Sequence, residues 1–597
     1  MYEMQTGTMI KKTKKIAIAL SVVLLLSCVS NSQDSKVVKK QPDDIVKTVE
    51  IPMVEEGSFE DGRPVDIAPL VSNYLAARLS EREGRIADAA FFYDRAEAAD
   101  PQNKELKEHA FILQLALGNM EESIRLAREL VGEEDAMPMG YILLGADALI
   151  AGELDEAKRS FKRAQKISPA LLQFHVLAAY IDLEQGKPAD VVVAKLKELP
   201  VAAGLSAVRH YHFARLLEKA GRLDEAKVEY EFALEADSRS SFTILALERI
   251  YEKMGAPEKT KAMFKAFFKA NPENVMLLKS AQRIKAELPY EAVSVTLAQD
   301  AASVVFEIAT LMSSQKLHIA ADQVLNISLL LDPHNAFTFF YKGITQEQAG
   351  AYEEAIDTYS AIPVDAYTWL GGQIRMADIY TKQSKPETAI AFVEGLAKDH
   401  DNVIIQRILA ELYYNNGRYE KAIKLYDHLF SLKEDEPSKK DFWMYFARGT
   451  AYERLARFEE AEKDLKESIR IMPNNATALN YLGYMWIERD NHIDEAFQLI
   501  GRALLIKPKD ASILDSMGWV LYKKAEFEKS LVYLKRAAKY RPDDATINMH
   551  LGDVYEKLER FEEAHKHWQR ALLLKPETQK DTLHVKMKLN EVSAKLK

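Results

Sequence analysis

The feature of this sequence that most constrains its fold is a repeat with a period of about 34 residues. Pro508, Pro542 and Pro576 recur at this interval, and so do Gly518 and Gly552. One complete unit has the order Leu551-Gly552, Tyr555, Ala564, Trp568, Ala571, Pro576. A period of this length is typical of stacked supersecondary units. We therefore expect a one-dimensional array instead of the roughly four separate domains that 597 residues alone would suggest.

The unit resembles the tetratricopeptide repeat, a pair of antiparallel helices. We expect the small residues Gly552 and Ala564 to let the two helices cross closely. Tyr555 and Trp568 are expected to fill the space between one unit and its neighbours, and Pro576 to end the second helix. Gly and Pro together make up only 44 of the 597 residues, which also favours helix. The predicted fold class is all-α, a right-handed αα superhelix or tetratricopeptide solenoid.

The same spacing extends back along most of the chain. From about residue 68 to 578 there is room for roughly 13 to 15 hairpins of this length. Residues 170–205 and 273–300 fit poorly and are interpreted as degenerate hairpins. We predict an N-terminal array over 68–333, a C-terminal array over 334–578 and a capping helix over 579–597. The apolar residues expected to hide the last repeat from water are Leu583, Val585, Met587, Leu589 and Val592.

The first 27 residues are predicted to be a lipoprotein signal peptide. Four lysines between Lys11 and Lys15 precede the apolar run Ile16–Leu26, which is too short to span a bilayer. Leu25-Leu26-Ser27-Cys28 resembles the bacterial lipobox, which implies cleavage before Cys28 and lipidation of its thiol. Val29 favours delivery to the outer membrane, facing the periplasm. Residues 28–67 are then the lipidated cysteine and a disordered tether.

Composition and motifs argue against several chemistries. The net charge of −10 disfavours a nucleic-acid partner. Because Cys28 is the only cysteine, a thiolate metal cluster cannot form. The pairs His210/His212 and His565/His567 are two apart on predicted helices and so point to different faces. Phosphate-binding loops, nucleophile elbows and zinc-protease motifs are missing. We therefore expect no catalytic residues, no metal, no cofactor and no enzyme activity.

The surface that remains for function is the concave face, which the first helix of each unit is expected to line. The inward positions of the last units form the candidate protein-binding face: Asn480, Tyr484, Asp515, Ser516, Trp519, Tyr522, His550, Asp553 and Glu556. Further back these positions hold Tyr211, Arg215, Phe340, Tyr341, Trp443 and Phe446. Aromatic, amide and carboxylate side chains together suit an extended peptide or a folded protein partner.

Three C-terminal segments, Leu479–Trp486, Ile513–Trp519 and Ala545–Asp553, resemble a proteobacterial family of long tetratricopeptide lipoproteins. A studied type in that family activates a periplasmic carboxyl-terminal processing protease. The resemblance implies a noncatalytic, membrane-anchored adaptor whose partners are a periplasmic serine protease and peptidoglycan hydrolases. The alternative is a structural component of an envelope export, pilus or outer-membrane assembly machine.

Overall fold

The computed structural model describes residues 59–60, 63–64, 68–83, 85–131, 138–168, 171–199, 205–271, 274–291, 294–433 and 436–595. The predicted signal peptide, Cys28 and most of the predicted tether lie outside these residues. The described part forms 30 α-helices, one short 3-10 helix and one antiparallel pair of two-residue strands, β1 (Phe59–Glu60) and β2 (Arg63–Pro64). None of the described helices has the length and apolarity needed to cross a membrane. The all-α fold predicted from the repeat is confirmed.

The chain divides into two units, residues 1–379 and 380–597. Helices α1 to α17 lie in the first unit: α1 Ala68–Arg82, α2 Ile86–Ala99, α3 Lys104–Leu117, α4 Met120–Leu130, α5 Pro138–Ile150, α6 Leu154–Ile167, α7 Leu172–Glu184, α8 Ala189–Lys197, α9 Ser206–Lys219, α10 Leu223–Ala236, α11 Ser241–Lys253, α12 Pro257–Ala270, α13 Leu278–Lys285, α14 Leu297–Ser314, α15 His318–Leu331, α16 Ala336–Ala349 and α17 Tyr352–Ser360. Helix α18, Trp369–Lys382, contains the point of division.

Helices α19 to α30 lie in the second unit: α19 Pro386–Asp399, α20 Val403–Asn415, α21 Tyr419–Ser431, α22 Phe442–Arg454, α23 Phe458–Ile471, α24 Ala476–Glu488, α25 Ile493–Ile506, α26 Ala511–Lys523, α27 Phe527–Tyr540, α28 Ala545–Lys557, α29 Phe561–Leu573 and α30 Gln579–Lys595. Within the described residues, eight hairpins of the first unit and five of the second pack as adjacent antiparallel pairs. Their total of thirteen is the lower end of the range that the repeat length predicts.

Several hairpins are closed by one large side chain that packs on a glycine of the partner helix. A Cβ built on Gly552 would lie 2.3 Å from Trp568 Nε1, and one on Gly343 would lie 2.4 Å from a Tyr359 ring carbon. Because only glycine leaves this space, the two helices can approach closely. The prediction that Trp568 fills the space between units is therefore wrong, since its ring occupies the interior of its own hairpin.

Polar side chains define where many first helices begin. The carboxylate of Asp510 accepts hydrogen bonds from the backbone N–H groups of Ser512 and Ile513, and Asp544 does the same for Ile547. These bonds satisfy amide groups that have no partner within the first turn of a helix. In these repeats the sequence itself marks the turn before the first helix.

The first unit departs from a simple array because α14 and α15 fold back onto earlier first helices. Helix α14 packs on α5 and α7, and α15 packs on α3 and α5. The Asn326 side-chain amide donates to the Leu115 carbonyl at 2.8 Å, and that of Gln323 donates to the Ile112 carbonyl at 3.0 Å. Asn326 thereby adds a second donor to the Leu115 carbonyl, which also accepts a hydrogen bond from the Gly118 N–H at 3.2 Å at the end of α3. A single apolar core consequently joins residues between Leu70 and Leu331.

Two of the sequence expectations differ from the structure. Residues 273–300 contain, in their described part, the single eight-residue helix α13 and the start of α14, and so do not form a degenerate hairpin. The two units divide after Ile379, whereas the sequence placed the boundary after residue 333. Helix α16 packs on α15 and α17 packs on α16, which joins both to the first unit.

Candidate protein-binding surface

In each hairpin, some side chains of the first helix point away from the second helix. We call the surface formed by these side chains the first-helix face, and the predicted inward positions lie on it. In the first unit, the chain itself covers much of this face. Tyr211 is half-buried, and Arg215 is buried against the returning helix α14. Arg215 Nε donates to Asp300 Oδ1 at 2.7 Å, and Lys219 Nζ donates to Asp300 Oδ2 at 2.8 Å. The prediction that Arg215 is available to a partner is therefore wrong.

A second polar contact holds the same helix. His212 is fully buried, and its Nε2 lies 2.9 Å from Glu307 Oε1 while its Nδ1 lies 2.8 Å from the Tyr180 hydroxyl. Since a carboxylate oxygen accepts, Nε2 donates to Glu307, and Nδ1 shares the second hydrogen bond with the Tyr180 hydroxyl. His210 instead contacts Glu229 at 2.6 Å. In the described residues, no group of three or more His, Cys, Asp or Glu side chains is placed to hold a metal ion.

Phe340 and Tyr341 of α16 also serve packing. Phe340 is buried against Tyr359, with ring centroids 5.9 Å apart, and Tyr341 lies edge-on to Phe306 of α14 at 5.3 Å. The first unit thus uses its aromatic and charged first-helix positions to bind its own chain.

In the second unit, an aromatic stack occupies the middle of the first-helix face. The ring of Trp519 lies parallel to those of Tyr522, at 4.6 Å, and His550, at 4.0 Å. Trp519 Nε1 donates to Glu488 Oε1 at 2.8 Å, which links α26 to α24. His550 Nδ1 donates to Asp515 Oδ1 at 2.9 Å, which links α28 to α26. The predicted residues therefore do meet, and they tie successive repeats together.

The remaining predicted residues continue this pattern into α30. Asp553 accepts from Trp568 Nε1 at 3.0 Å and from His584 Nε2 at 3.1 Å, and Glu556 accepts from Lys588 Nζ at 2.9 Å. Helix α30 is thus held on α28 by two charged contacts in addition to its apolar residues.

Three other predicted residues, Asn480, Tyr484 and Ser516, do not join the contacts between repeats described above in the same way. Tyr484 is half-buried, and the Ser516 hydroxyl donates to the Ser512 carbonyl of its own helix at 2.9 Å. The Asn480 side-chain oxygen is buried with no hydrogen-bond partner among the described residues. A buried amide oxygen without a donor costs free energy.

Carboxylates make this face electronegative. Burial raises the pKa of Tyr484, and the nearby Glu488, Asp515 and Asp581 carboxylates raise it further. Burial together with Asp553 and Glu556 raises the pKa of Tyr522 to about 12. The carboxylate part of these shifts marks a negative local potential, whereas burial opposes a charge of either sign.

Burial lowers the pKa of His550, but the Asp515 carboxylate outweighs burial, so that the pKa stands above its ordinary value. The hydrogen bond to Asp553 raises the pKa of His584 in the same way. Both imidazoles are therefore held more readily in the protonated state.

The exposed apolar side chains lie toward the two ends of this face. Trp443, at the start of α22, is 60% exposed, whereas Phe446 one turn later is buried. In α30, Leu583 is 59% and Met587 is 53% exposed, while Val585 and Val592 are buried. The prediction that Leu583 and Met587 help to hide the last repeat is therefore wrong.

Glu488, Leu583 and Met587 were not recognised as candidate surface residues from the sequence. The register of the repeat contained the signal, because Leu583 and Met587 follow Met549 and Asp553 by one full period each. Together with Trp443, which the sequence analysis did place on this face, they are the exposed apolar residues toward its two ends.

Stacked hairpins with a charged and aromatic open face define a helical-repeat scaffold for protein–protein interaction. Residues 401–474 and 545–578 match models of the tetratricopeptide repeat, so the chain contains such repeats. A TPR repeat-containing protein of Pseudomonas aeruginosa is 30% identical over 199 residues, which cover 33% of each chain. One of Methanocaldococcus jannaschii is 23% identical over 392 residues, 63% of this chain and 65% of its own. The chain thus matches less than two thirds of the length of either relative.

Solved structures with similar helix arrangements include a chain of the APC/C hetero-tetramer Cut9–Hcn1. It is 15% identical, covers 88% of this chain and 96% of its own, and has a TM-score of 0.36. A MamA structure is 22% identical, covers 28% of this chain and 96% of its own, and has a TM-score of 0.25.

Proposed function

We propose that this protein is a noncatalytic scaffold, anchored by a lipid on Cys28 to the periplasmic side of a bacterial outer membrane, that holds other proteins on its second unit. The observation that carries the proposal is that the first-helix face is largely covered by the protein's own helices in the first unit but exposes a tryptophan in the second. In the first unit, α14 and α15 cover much of that face, and Asp300 pairs with its cations. In the second unit, Trp443 is 60% exposed on the same face.

An exposed tryptophan beside buried aromatic residues is a common anchor of protein interfaces, because it offers a large apolar area at a small cost in side-chain entropy. Trp443 is backed by Phe442 at a ring-centroid distance of 4.9 Å and by Phe446 at 5.7 Å. The side chain is thus held in place before a partner arrives, which lowers the entropic cost of binding.

The specific form of the proposal is an adaptor that recruits a carboxyl-terminal processing protease and presents cell-wall hydrolases to it. It is supported by the resemblance of the segments Leu479–Trp486, Ile513–Trp519 and Ala545–Asp553 to the lipoprotein family with that role. Holding enzyme and substrate on one molecule raises their effective concentration without requiring chemistry from the scaffold itself.

The test is crosslinking of the lipidated protein in native envelopes, followed by identification of the captured proteins. The Trp443→Ala variant is compared with Leu505→Ser, a control at a position 84% exposed on the second helix α25. Recovery of a periplasmic serine protease and a wall hydrolase, lost in Trp443→Ala and kept in the control, is the expected result. Recovery of export, pilus or outer-membrane assembly proteins would favour a structural role instead, and capture of no protein would contradict the scaffold.

Membrane attachment is tested separately. Cys28→Ser removes the thiol that the proposal assigns to the lipid, so the mature chain is expected to move from the membrane fraction to the soluble fraction. Removal of residues 1–27 takes away four lysines and one glutamate and leaves a net charge of −13, which anionic lipids repel. Continued sedimentation of the Cys28→Ser protein with membranes would reject the lipid anchor.

A further inference from the structure

A cleft of about 540 Å³ lies between the second helices α8 and α10 of the first unit. Its volume is within the range of about 300–1,000 Å³ that is usual for ligand-binding pockets. The buried side chains of Val193 and Leu217 line it, and so does Val228 of α10, which is 41% exposed. Helix α8 has nine residues whereas α10 has fourteen, so α8 is shorter by more than one turn. Because second helices supply most of its lining, the cleft is separate from the first-helix face.

Phe232, one turn after Val228 on α10, is 47% exposed and departs from the pattern of the repeat. It lies two residues after Tyr230, the fully buried residue sixteen positions after the small residue Ala214. Residues two apart on a helix point in nearly opposite directions, so Phe232 lies on the other side of α10 from Tyr230. In five other second helices the residue at this position is arginine: Arg95, Arg163, Arg502, Arg536 and Arg570. The hairpin therefore does not require an apolar residue here, and an exposed aromatic ring indicates an interaction surface.

Charged residues surround the cleft, and carboxylates outnumber cations among them. The charged lining residues are Asp190, Asp224, Glu225, Glu229, Lys197 and Arg222. Arg222 pairs with both Asp190 and Glu225. Asp224 is exposed and forms no ion pair within the part of the chain that the structure describes. The excess of carboxylates favours positive charge on a partner that binds here.

The two helices that form the walls present side chains to the cleft at helical spacing. On α8 the lining residues are Asp190, Val193, Ala194 and Lys197, and on α10 they include Glu225, Val228 and Glu229. Each set is apolar near its centre and charged at its ends. The groove therefore offers side chains, while the backbone groups of both helices are bonded within the helices. An extended segment would leave its own N–H and C=O groups without partners where the groove excludes water, whereas a helix satisfies them internally.

We infer that this cleft, with Phe232 at its edge, is a docking groove for a basic amphipathic helix of a partner protein. The apolar side chains of that helix enter the cleft beside Val228 and Phe232, and lysine or arginine on its flank faces Asp224. The Phe232 ring already contacts His210 of α9, at a ring-centroid distance of 5.5 Å, which lowers the entropic cost of binding. The groove belongs to the first unit and does not involve Trp443, so the scaffold holds a second protein there.

The inference is tested by selecting helices of about eighteen residues, randomised along one side and displayed on phage, on the purified full-length protein in detergent. The enriched helices are expected to carry apolar residues three and four positions apart, with an excess of lysine and arginine beside them. One enriched helix, made as a peptide and labelled with fluorescein, is then titrated by fluorescence anisotropy.

Phe232→Arg introduces the residue that five other second helices hold, so unchanged thermal unfolding is expected and confirms that the variant folds. It is expected to weaken binding of the peptide by about tenfold or more, because it removes the apolar anchor and repels a basic helix. Phe232→Ala adds no charge and is expected to weaken binding severalfold. Asp224→Asn is expected to reduce the dependence of binding on salt, because it removes a carboxylate that faces the peptide.

Val228→Lys and Val532→Lys are a matched pair. The two valines occupy the same position of the repeat and are 41% and 58% exposed. Only Val228→Lys places a cation in the cleft, so it is expected to weaken binding while Val532→Lys binds as the natural protein does.

Enrichment of acidic helices, no enrichment, or an affinity that Phe232→Arg leaves unchanged would each overturn the inference. Self-association of the protein that Phe232→Arg abolishes, measured by light scattering, would overturn it in favour of a second copy of this chain. The proposed function is judged by the crosslinking experiment with Trp443→Ala, which leaves Phe232 in place. If proteins are captured there while the helix selection fails, the scaffold stands and the docking groove does not.

Discussion

Asp300 of the returning helix α14 forms ion pairs with two cations of α9. Its removal is therefore expected to lower the free energy needed to open the hairpin of α14 and α15. The carboxylate is buried and bonds both Arg215 and Lys219. In Asp300→Ala, Arg215 keeps a second carboxylate, that of Glu218 at 3.1 Å, but Lys219 has no other among the described ion pairs. Breaking a buried pair typically costs about 3–5 kcal/mol, and because Arg215 stays paired we expect about 3 kcal/mol.

The assay is hydrogen exchange followed by mass spectrometry, which reports α14 and α15 separately from the rest of the chain. A loss of about 3 kcal/mol corresponds to roughly a hundredfold increase in the opening constant. The exposed surface pair of Glu258 with Lys261 provides the control, and Glu258→Ala is expected to change exchange by less than about fivefold. Unchanged protection of residues 297–331 in Asp300→Ala would refute the assignment of Asp300 as the fastening residue.

Two further predictions concern the second unit. Gly552→Ala places a methyl group against the Trp568 ring and is expected to lower the free energy of unfolding by about 1–3 kcal/mol. Gly395→Ala adds a Cβ that meets nothing within 4 Å and should raise the free energy of unfolding by up to about 1 kcal/mol. Thermal unfolding measures both variants, and equal effects would contradict the packing argument. Because Asp553 raises the pKa of His584, their contact stabilises fully below about pH 6.5 and is lost as the pH rises through the raised pKa. The free energy of unfolding, measured with urea, should therefore fall less between pH 6 and pH 9 in His584→Gln than in the natural protein. An identical fall in both would contradict the stabilising role of the His584–Asp553 contact.

The regular part of the fold follows from short-range sequence signals. A glycine and a large residue sixteen positions later, such as Gly518 with Leu534 or Gly552 with Trp568, recur because each hairpin needs one close crossing. Asparagine or aspartate recurs before many first helices because its side chain caps the free N–H groups of the first turn. These features depend on neighbours within one repeat, and the sequence displays them directly.

The return of α14 and α15 depends on contacts between residues 211 positions apart and has no periodic signal. The sequence signal for this return is a few polar residues. Gln323 and Asn326 lie in the otherwise largely apolar helix α15, and Asp300 lies in the first turn of α14. Such residues are buried only with partners, but the sequence does not say which. The candidate site was predicted best where it repeats, from Tyr484 to Glu556, and least well at its exposed ends.

The first-helix position that holds Lys219 in the first unit holds a carboxylate, Glu488, in one hairpin of the second unit. Lys219 is five residues after the small residue Ala214 that precedes Arg215, and Glu488 is five residues after Gly483. At that position the first unit presents a cation and binds Asp300 of its own chain, whereas the second presents a carboxylate with no ion pair among the described residues. An acidic segment such as the start of α14 would be repelled from Glu488, and a basic one attracted. The equivalent positions after Gly449, Gly518 and Gly552 hold Arg454, Lys523 and Lys557, so Glu488 is the exception among these hairpins of the second unit. The contact that closes the first unit thus shows how one such position is used, by pairing a first-helix cation with a carboxylate of a returning helix.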